Sequence, residues 1–424
     1  MVFSQICGWT ADMWGPVIGL FGFIQNWGWM IIVFTICLKL ILSPLDYWQK
    51  KVARDSARKQ AVLQPELIKL RKKFGNNKQM LNQKTMELYK RENFNMSGSC
   101  ISMLVNMAIT LFIFITLFYG LMGISQIEIA KQYDKLQETY NQEFSTAYGL
   151  TGEDLNTQIK EKENQIWQSA YENAKTELGI TGEVPKEKEV ELYNKALEFY
   201  ANTQINGTEM KISDIQAKVL DKYNTEIKQS WLWVSNIWRP DTNASGFPNY
   251  STFTGAANFY GSAEYKEAVD AKLASLPEGA TDEQKSIAIK EVQNEFENKY
   301  NFVTYNVQSA YQSWNGYFIL VILAAVITYL SAVVSQMQTS KKDKTQTQTE
   351  GEIVPAKSMK FMKFLLPILM IIFTIGYSAV FALYIVTNSL MTTIISFIFL
   401  KIFEKQEKKK KITITTKNKP DYSR

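Results

Sequence analysis

The side chains able to do chemistry in this chain are few, and several sit in apolar surroundings. Lys39 is a lone cation inside the run WMIIVFTICLKLILSPLDYWQ (29–49). A charge at membrane depth is costly, and its usual settings are a water-filled cavity, a partner, or a stem that snorkels to the interface. Thr35 precedes Lys39 by four residues, so both share one helix face. Asn106 and Thr110 repeat that spacing in a second apolar run, and Tyr384 and Asn388 in a last one. Together they would make a hydrogen-bonding surface with one anion-attracting point, although such residues also glue helices together. Covalent catalysis has no candidate. The chain lacks histidine, which removes Ser-His-Asp and Cys-His arrangements. Cys7, Cys37 and Cys100 have no metal-ligand spacing. No enzyme activity, metal or cofactor is expected.

The elements that must position these residues are apolar helices. The 424 residues carry a net charge of +6 and are 46% hydrophobic, but the apolar residues are gathered in blocks. With about 20 apolar residues needed per crossing, five spans are expected, at 26–45, 101–124, 316–336, 358–376 and 379–403. The last two come from one stretch too long for a single crossing, divided at Gly376-Tyr377-Ser378. Lys50, Lys51, Arg54, Arg58 and Lys59 follow the first span, Lys341, Lys342 and Lys344 follow the third, and nine Lys or Arg lie in 401–424. The excess of Lys and Arg on the inner side of a membrane then puts the N-terminus outside and the C-terminus inside. The fold class is an all-α polytopic membrane protein.

Between the spans, residues 46–100 read as a cytoplasmic helical hairpin. Leu63, Leu67, Leu70 and Phe74 form one stripe, and Gly75-Asn76-Asn77 is the turn. Residues 125–315 read as a separately folded, mostly helical extracytoplasmic domain, with helix starts at Thr151 and Thr281 and a loop or linker at 238–255. Residues 1–25 lack the basic start of a cleaved signal and read as an interfacial segment or an extension of the first span. Residues 337–357 form a cytoplasmic loop, and 404–424 a disordered basic tail. Within that tail, Lys408, Lys409, Lys410 and Lys411 could bind the phosphates of ribosomal RNA or anionic lipid, or simply anchor the topology.

NWGWMIIVFTICLKLILSPL (26–45) and LQPELIKLRKKFGNNKQMLNQKTMELYKRENFNMSGSC (63–100) together resemble the YidC family of membrane protein insertases. The likeness rests on Asn26–Gly28, a central cation at Lys39, Pro44-Leu45, Gln64-Pro65, Gly75 and Leu88-Tyr89-Lys90. YFILVILAAVITYLSAVVSQM (317–337) and FLLPILMIIFTIGYSAVFALYIVTNSLMTTII (364–395) are similar to the family's last three spans. This chain departs from the family pattern in four places. Lys39 replaces the usual arginine, and prolines or glycines are missing at Asn95–Cys100, Asn106–Ala108 and Tyr377–Ala379. The insertion 126–314 has no counterpart in the resemblance.

The resemblance implies an insertase of the bacterial plasma membrane. It would receive nascent membrane proteins in a hydrophilic groove within the bilayer and release them sideways into lipid. Thr35, Lys39, Asn106, Tyr384 and Asn388 would line that groove by family matching, and Thr110 by spacing. The ribosome, anionic lipids and the Sec translocon are the implied partners. Two other classes compete. A transporter or channel would use Lys39 as an anion or proton-coupled site, but no internal repeat supports it. An anchored outer-domain protein would need neither Lys39 nor the hairpin.

Overall fold

The computed structural model describes residues 2–91, 96–340 and 356–417. These form thirteen α-helices, and no β-strand occurs among the described residues. In chain order they are α1 (Val2–Gly19), α2 (Trp27–Phe74), α3 (Lys78–Arg91), α4 (Met96–Tyr148), α5 (Leu155–Glu177), α6 (Glu189–Ala201) and α7 (Ile212–Lys222). Then follow α8 (Tyr250–Ala256), α9 (Ala263–Ala274), α10 (Asp282–Ala310), α11 (Ile319–Ser340), α12 (Ala356–Gly376) and α13 (Ala379–Lys417).

Three segments are long and apolar enough to cross a membrane: Trp27–Val52, Leu104–Tyr148 and Ala379–Gln406. Two shorter apolar stretches, Ile319–Val334 and Pro367–Gly376, lie in α11 and α12. Asn26 starts α2 by accepting from the backbone N–H groups of Gly28 and Trp29, the usual role of an N-cap asparagine. The helix then continues without a break to Phe74, so the first apolar block and the first arm of the hairpin are one 48-residue rod. Gly75 ends it, and the Asn77 side chain caps α3 through Met80 N–H. Leu63 and Leu67 close on Leu88 and Tyr89, with Leu70 packed alongside. The stripe spacing of the leucines dictates that face. α1 is a separate helix lying along α4, where Trp14 fills the space above Gly120.

α4 is 53 residues long, about 80 Å at 1.5 Å per residue. It leaves the apolar block and becomes the spine of a polar domain. Along it Tyr133, Leu136, Tyr140 and Phe144 recur at three and four residues and are all buried. Around this stripe pack Ile159, Ile166, Tyr200, Ile215, Val219, Tyr300 and Val303. Tyr140 and Tyr200 share a hydroxyl hydrogen bond of 2.9 Å, and Lys299 pairs with the buried Glu163 at 2.7 Å. Burial raises the Glu163 carboxyl above its ordinary value, and the Lys299 charge opposes that rise. This core is continuous with the apolar block through Leu117, Leu121, Ile31 and Phe34. The expected separately folded domain is therefore fused to the helices from which it emerges.

The segment Ser230–Asp241, which runs into the start of the expected 238–255 linker, does the fusing. Ser230 O accepts from the Asn26 amide at 2.9 Å, at the start of α2. Gly28 lies so close to the Trp231 indole that a methyl group there would overlap it. Trp27 meets Trp238 edge to face at 4.9 Å. The fully buried Asp241 accepts from Tyr317 N–H at 2.9 Å and Leu320 N–H at 2.6 Å, at the start of α11. Arg239 O and Ile237 O accept from Ala379 and Val380 N–H, at the start of α13. One segment, Ser230–Asp241, thus satisfies otherwise orphaned backbone donors at the starts of α11 and α13 and holds the N-cap side chain of α2. The 238–255 loop itself ends in α8. Of the expected helix starts, Thr281 caps α10 in a reciprocal box with Gln284, whereas α5 begins after Asp154 rather than at Thr151.

Candidate functional site

Lys39 lies on the face of α2 that turns toward α4 and α13. Its residue is only 9% exposed, and its Nζ lies 3.1 Å from Asp46 Oδ2. Asp46 stands seven residues on, two helical turns along the same stripe. The lysine stem therefore leans toward the end of the apolar run and meets a carboxylate there. Charges in apolar surroundings persist mainly when paired in this way.

The pair lines a cavity of about 60 Å3 with Thr110, Tyr384 and Asn388 as its other polar members and Leu42, Ile113 and Phe114 among the apolar ones. The volume suits a few water molecules with polar partners; a polypeptide segment would need the helices to part. Beyond the cavity, toward the α3 end, Lys50 donates to the Ser396 hydroxyl and lies 5.6 Å from the Phe399 ring centre. Arg54 lies over Phe403 at 5.0 Å, and Tyr47 stacks on the same ring at 5.3 Å. These contacts fasten α2 to α13 beside the cavity.

The six residues expected to form one surface thus divide. Lys39, Thr110, Tyr384 and Asn388 come together around the cavity. Thr35 does not line it: the residue is 1% exposed, and its hydroxyl donates to Ile31 O at 2.6 Å within its own helix. A threonine can satisfy itself this way, so its i, i+4 relation to Lys39 placed it on the right side of α2 but not in the cavity. Asn106 lies one turn from Thr110, also outside the cavity lining, and its buried Oδ1 has no hydrogen-bond partner among the described residues. Asp46 was missed. The signal that could have found it is its seven-residue spacing from Lys39. Lys408, Lys409, Lys410 and Lys411 fall within α13, which runs to Lys417 instead of giving way to a disordered tail, and their side chains lie outside the described residues. No cluster of metal-binding side chains occurs among the described residues.

Comparison with known proteins meets this geometry on its first two helices. The family model "60Kd inner membrane protein" matches residues 19–167, a stretch containing Lys39, Asp46 and Thr110. The membrane protein insertase YidC of Aeromonas hydrophila is 43% identical over 101 residues, which is 24% of this chain and 17% of that protein. The insertase YidC of Fusobacterium nucleatum is 42% identical over 92 residues, 22% of this chain and 43% of that protein. That of Leptospira interrogans is 44% identical over 86 residues, 20% of this chain and 13% of that protein. The chain resembles the YidC insertases. It spans less than half the length of each of these relatives. The family match ends at residue 167, so the likeness at Tyr384 and Asn388 rests on their motif alone. No solved structure matches.

Proposed function

We propose that the chain is a membrane protein insertase whose substrate-receiving surface is built around the Lys39–Asp46 cavity. The observation that carries this reading is the meeting of a buried ion pair with Thr110, Tyr384 and Asn388 between three helices, in a cavity otherwise lined by apolar side chains. Every unsatisfied polar group of a polypeptide crossing hydrocarbon costs several kcal/mol. A hydrated polar surface part-way through the bilayer shortens that path. An acidic residue of an arriving segment can exchange for Asp46 on Lys39, while the segment's apolar part moves out between the helices into lipid. Because Lys39 is already paired, the site rewards exchange and not simple anion capture, which weighs against an anion channel.

In this reading α2, α4, α11, α12 and α13 are the five spans, with the N-terminus outside and the C-terminus inside. α11 and α12, at 22 and 21 residues, are each about 32 Å long, close to the ~30 Å hydrocarbon thickness. The hairpin of α2 and α3 and the lysines 408–411 then face the cytoplasm, where ribosomal RNA and anionic lipid headgroups offer phosphates. The polar domain faces outside. Nascent membrane proteins are the substrates, the bacterial plasma membrane is the site of action, and the Sec translocon is a further partner.

Site-specific photocrosslinking tests the proposal. Probes at Thr110 and Tyr384 are presented with ribosomes stalled on a single-span protein bearing an acidic outer tail. A probe at Ile41, which is 74% exposed on an apolar face, is the lipid-facing control. Crosslinks at the two cavity positions, absent at Ile41 and weakened by Lys39→Glu, are expected. Capture of lipid alone at all three positions would overturn the reading.

A further inference from the structure

A second cavity lies in the polar domain, away from Lys39. It is a cleft of about 730 Å3 between α6, α10 and the segment 245–251, a volume typical of built ligand sites. No lysine or arginine lines it, while two carboxylates do, Glu189 at the rim on α6 and Glu297 on α10. We propose that this cleft binds a basic polypeptide segment, its cationic side chains meeting Glu297 and Glu189 and its peptide groups meeting the amide side chains of the walls.

Three observations carry the assignment. Glu297 is half-buried and forms no ion pair among the described residues, and burial alone raises its carboxyl above the ordinary value. Its charge is close enough to push the Tyr193 and Tyr250 phenols up, after the larger effect of their own burial. A half-buried carboxylate among aromatic rings is a ready cation site, since the rings themselves attract cations. Second, the lining pairs tyrosines (Tyr193, Tyr250, Tyr305) with amides (Asn194, Asn249, Gln312), the composition by which rigid rings and adaptable hydrogen bonds recognise polypeptide. Third, the floor is pre-organised. Asn301 donates to the Tyr193 hydroxyl at 2.9 Å, and Gln308 donates to Asn301 Oδ1 at 2.9 Å. Acidic peptides are excluded by the sign of the cleft. The proposal is independent of the insertase reading.

The test uses the full chain in lipid nanodiscs and fluorescence anisotropy of short labelled peptides with the same backbone length. One is Lys/Ser-rich, one Asn/Ser-rich and one Glu/Ser-rich. The Lys/Ser peptide is expected to bind about tenfold more tightly than the neutral one, with Glu297→Gln removing most of that advantage. Glu297→Gln removes an unpaired, partly desolvated charge, so its thermal unfolding midpoint is expected not to fall, which separates lost binding from lost folding. Glu161→Gln, an exposed acid outside the cleft, is expected to leave affinity unchanged. Equal affinity for the three peptides, or a Lys/Ser preference that survives Glu297→Gln, overturns the proposal. So does displacement of the peptide by chitotetraose, which would make the cleft a saccharide site.

Discussion

Asp46→Asn leaves Lys39 buried without its counter-charge. At 3.1 Å, and with an effective dielectric constant of about 20, the attraction between the two charges is about 5 kcal/mol. Desolvation of both groups offsets much of this, so the pair adds little net stability compared with an apolar pair of similar volume. Losing one partner is different, because the survivor stays desolvated, at a cost of about 3–5 kcal/mol. The side chains are 11% and 16% exposed, and that residual solvation favours the lower end, about 3 kcal/mol. The assay is equilibrium unfolding in mixed micelles for Asp46→Asn, Asp46→Leu, Lys39→Met and the double substitution Lys39→Met with Asp46→Leu. Each single change is expected to cost about 3 kcal/mol and the double change under about 1 kcal/mol, a coupling of several kcal/mol. Single costs below about 1 kcal/mol that simply add would refute the reasoning, because the pair would then be solvated and the cavity open to bulk water.

Asp241→Asn keeps one oxygen of the two that hold the start of α11 and should lower stability by about 1.5–3 kcal/mol, the range for a charge-assisted hydrogen bond, with faster proteolysis at 311–318. Gly28→Ala drives a methyl group into the Trp231 ring; a loss of about 1–3 kcal/mol is expected by unfolding, partly recovered when Trp231→Leu is added. The Glu297 carboxyl is raised by burial, so the folded chain holds its proton more strongly than the unfolded chain does. Stability from this group is therefore lost as pH rises from the ordinary glutamate value of about 4.3 through the raised one. Melting curves should show wild type falling relative to Glu297→Gln over that window; the opposite slope would contradict the sign.

The long apolar runs and the leucine stripe of the hairpin were legible because burial on one face leaves a periodic trace. The cavity was legible in part for the same reason, since Lys39, Thr110, Tyr384 and Asn388 interrupt otherwise apolar faces. Asp46 follows Pro44-Leu45, where the apolar run ends, and nothing in its immediate sequence ties it to the site. Only the reach of the lysine stem along two turns joins it to the site. Thr35 carried the family match and Thr110 only the spacing, yet nothing local distinguishes a threonine bonded to its own helix from one facing a cavity. The segment 230–241 was unreadable for a deeper reason. Turn residues and tryptophans mark an irregular stretch, but which helix starts its carbonyls and carboxylate will satisfy depends on partners 76 to 204 residues away.

The segment Ser230–Asp241 also governs when the fold can close. Asn26 waits for Ser230, 204 residues later in the chain. At a synthesis rate of roughly 5–20 residues per second, that interval is about 10–40 s. Arg239 and Ile237 in turn wait for Ala379 and Val380, and α13 also brings Tyr384 and Asn388, the last wall of the cavity. Throughout that delay Lys39 and Asp46 are translated and joined to each other but not enclosed. A product stalled before α13 would thus carry the pair shielded only by the α2 and α4 walls of the cavity. Tyr384 and Asn388 close the remaining side only with α13.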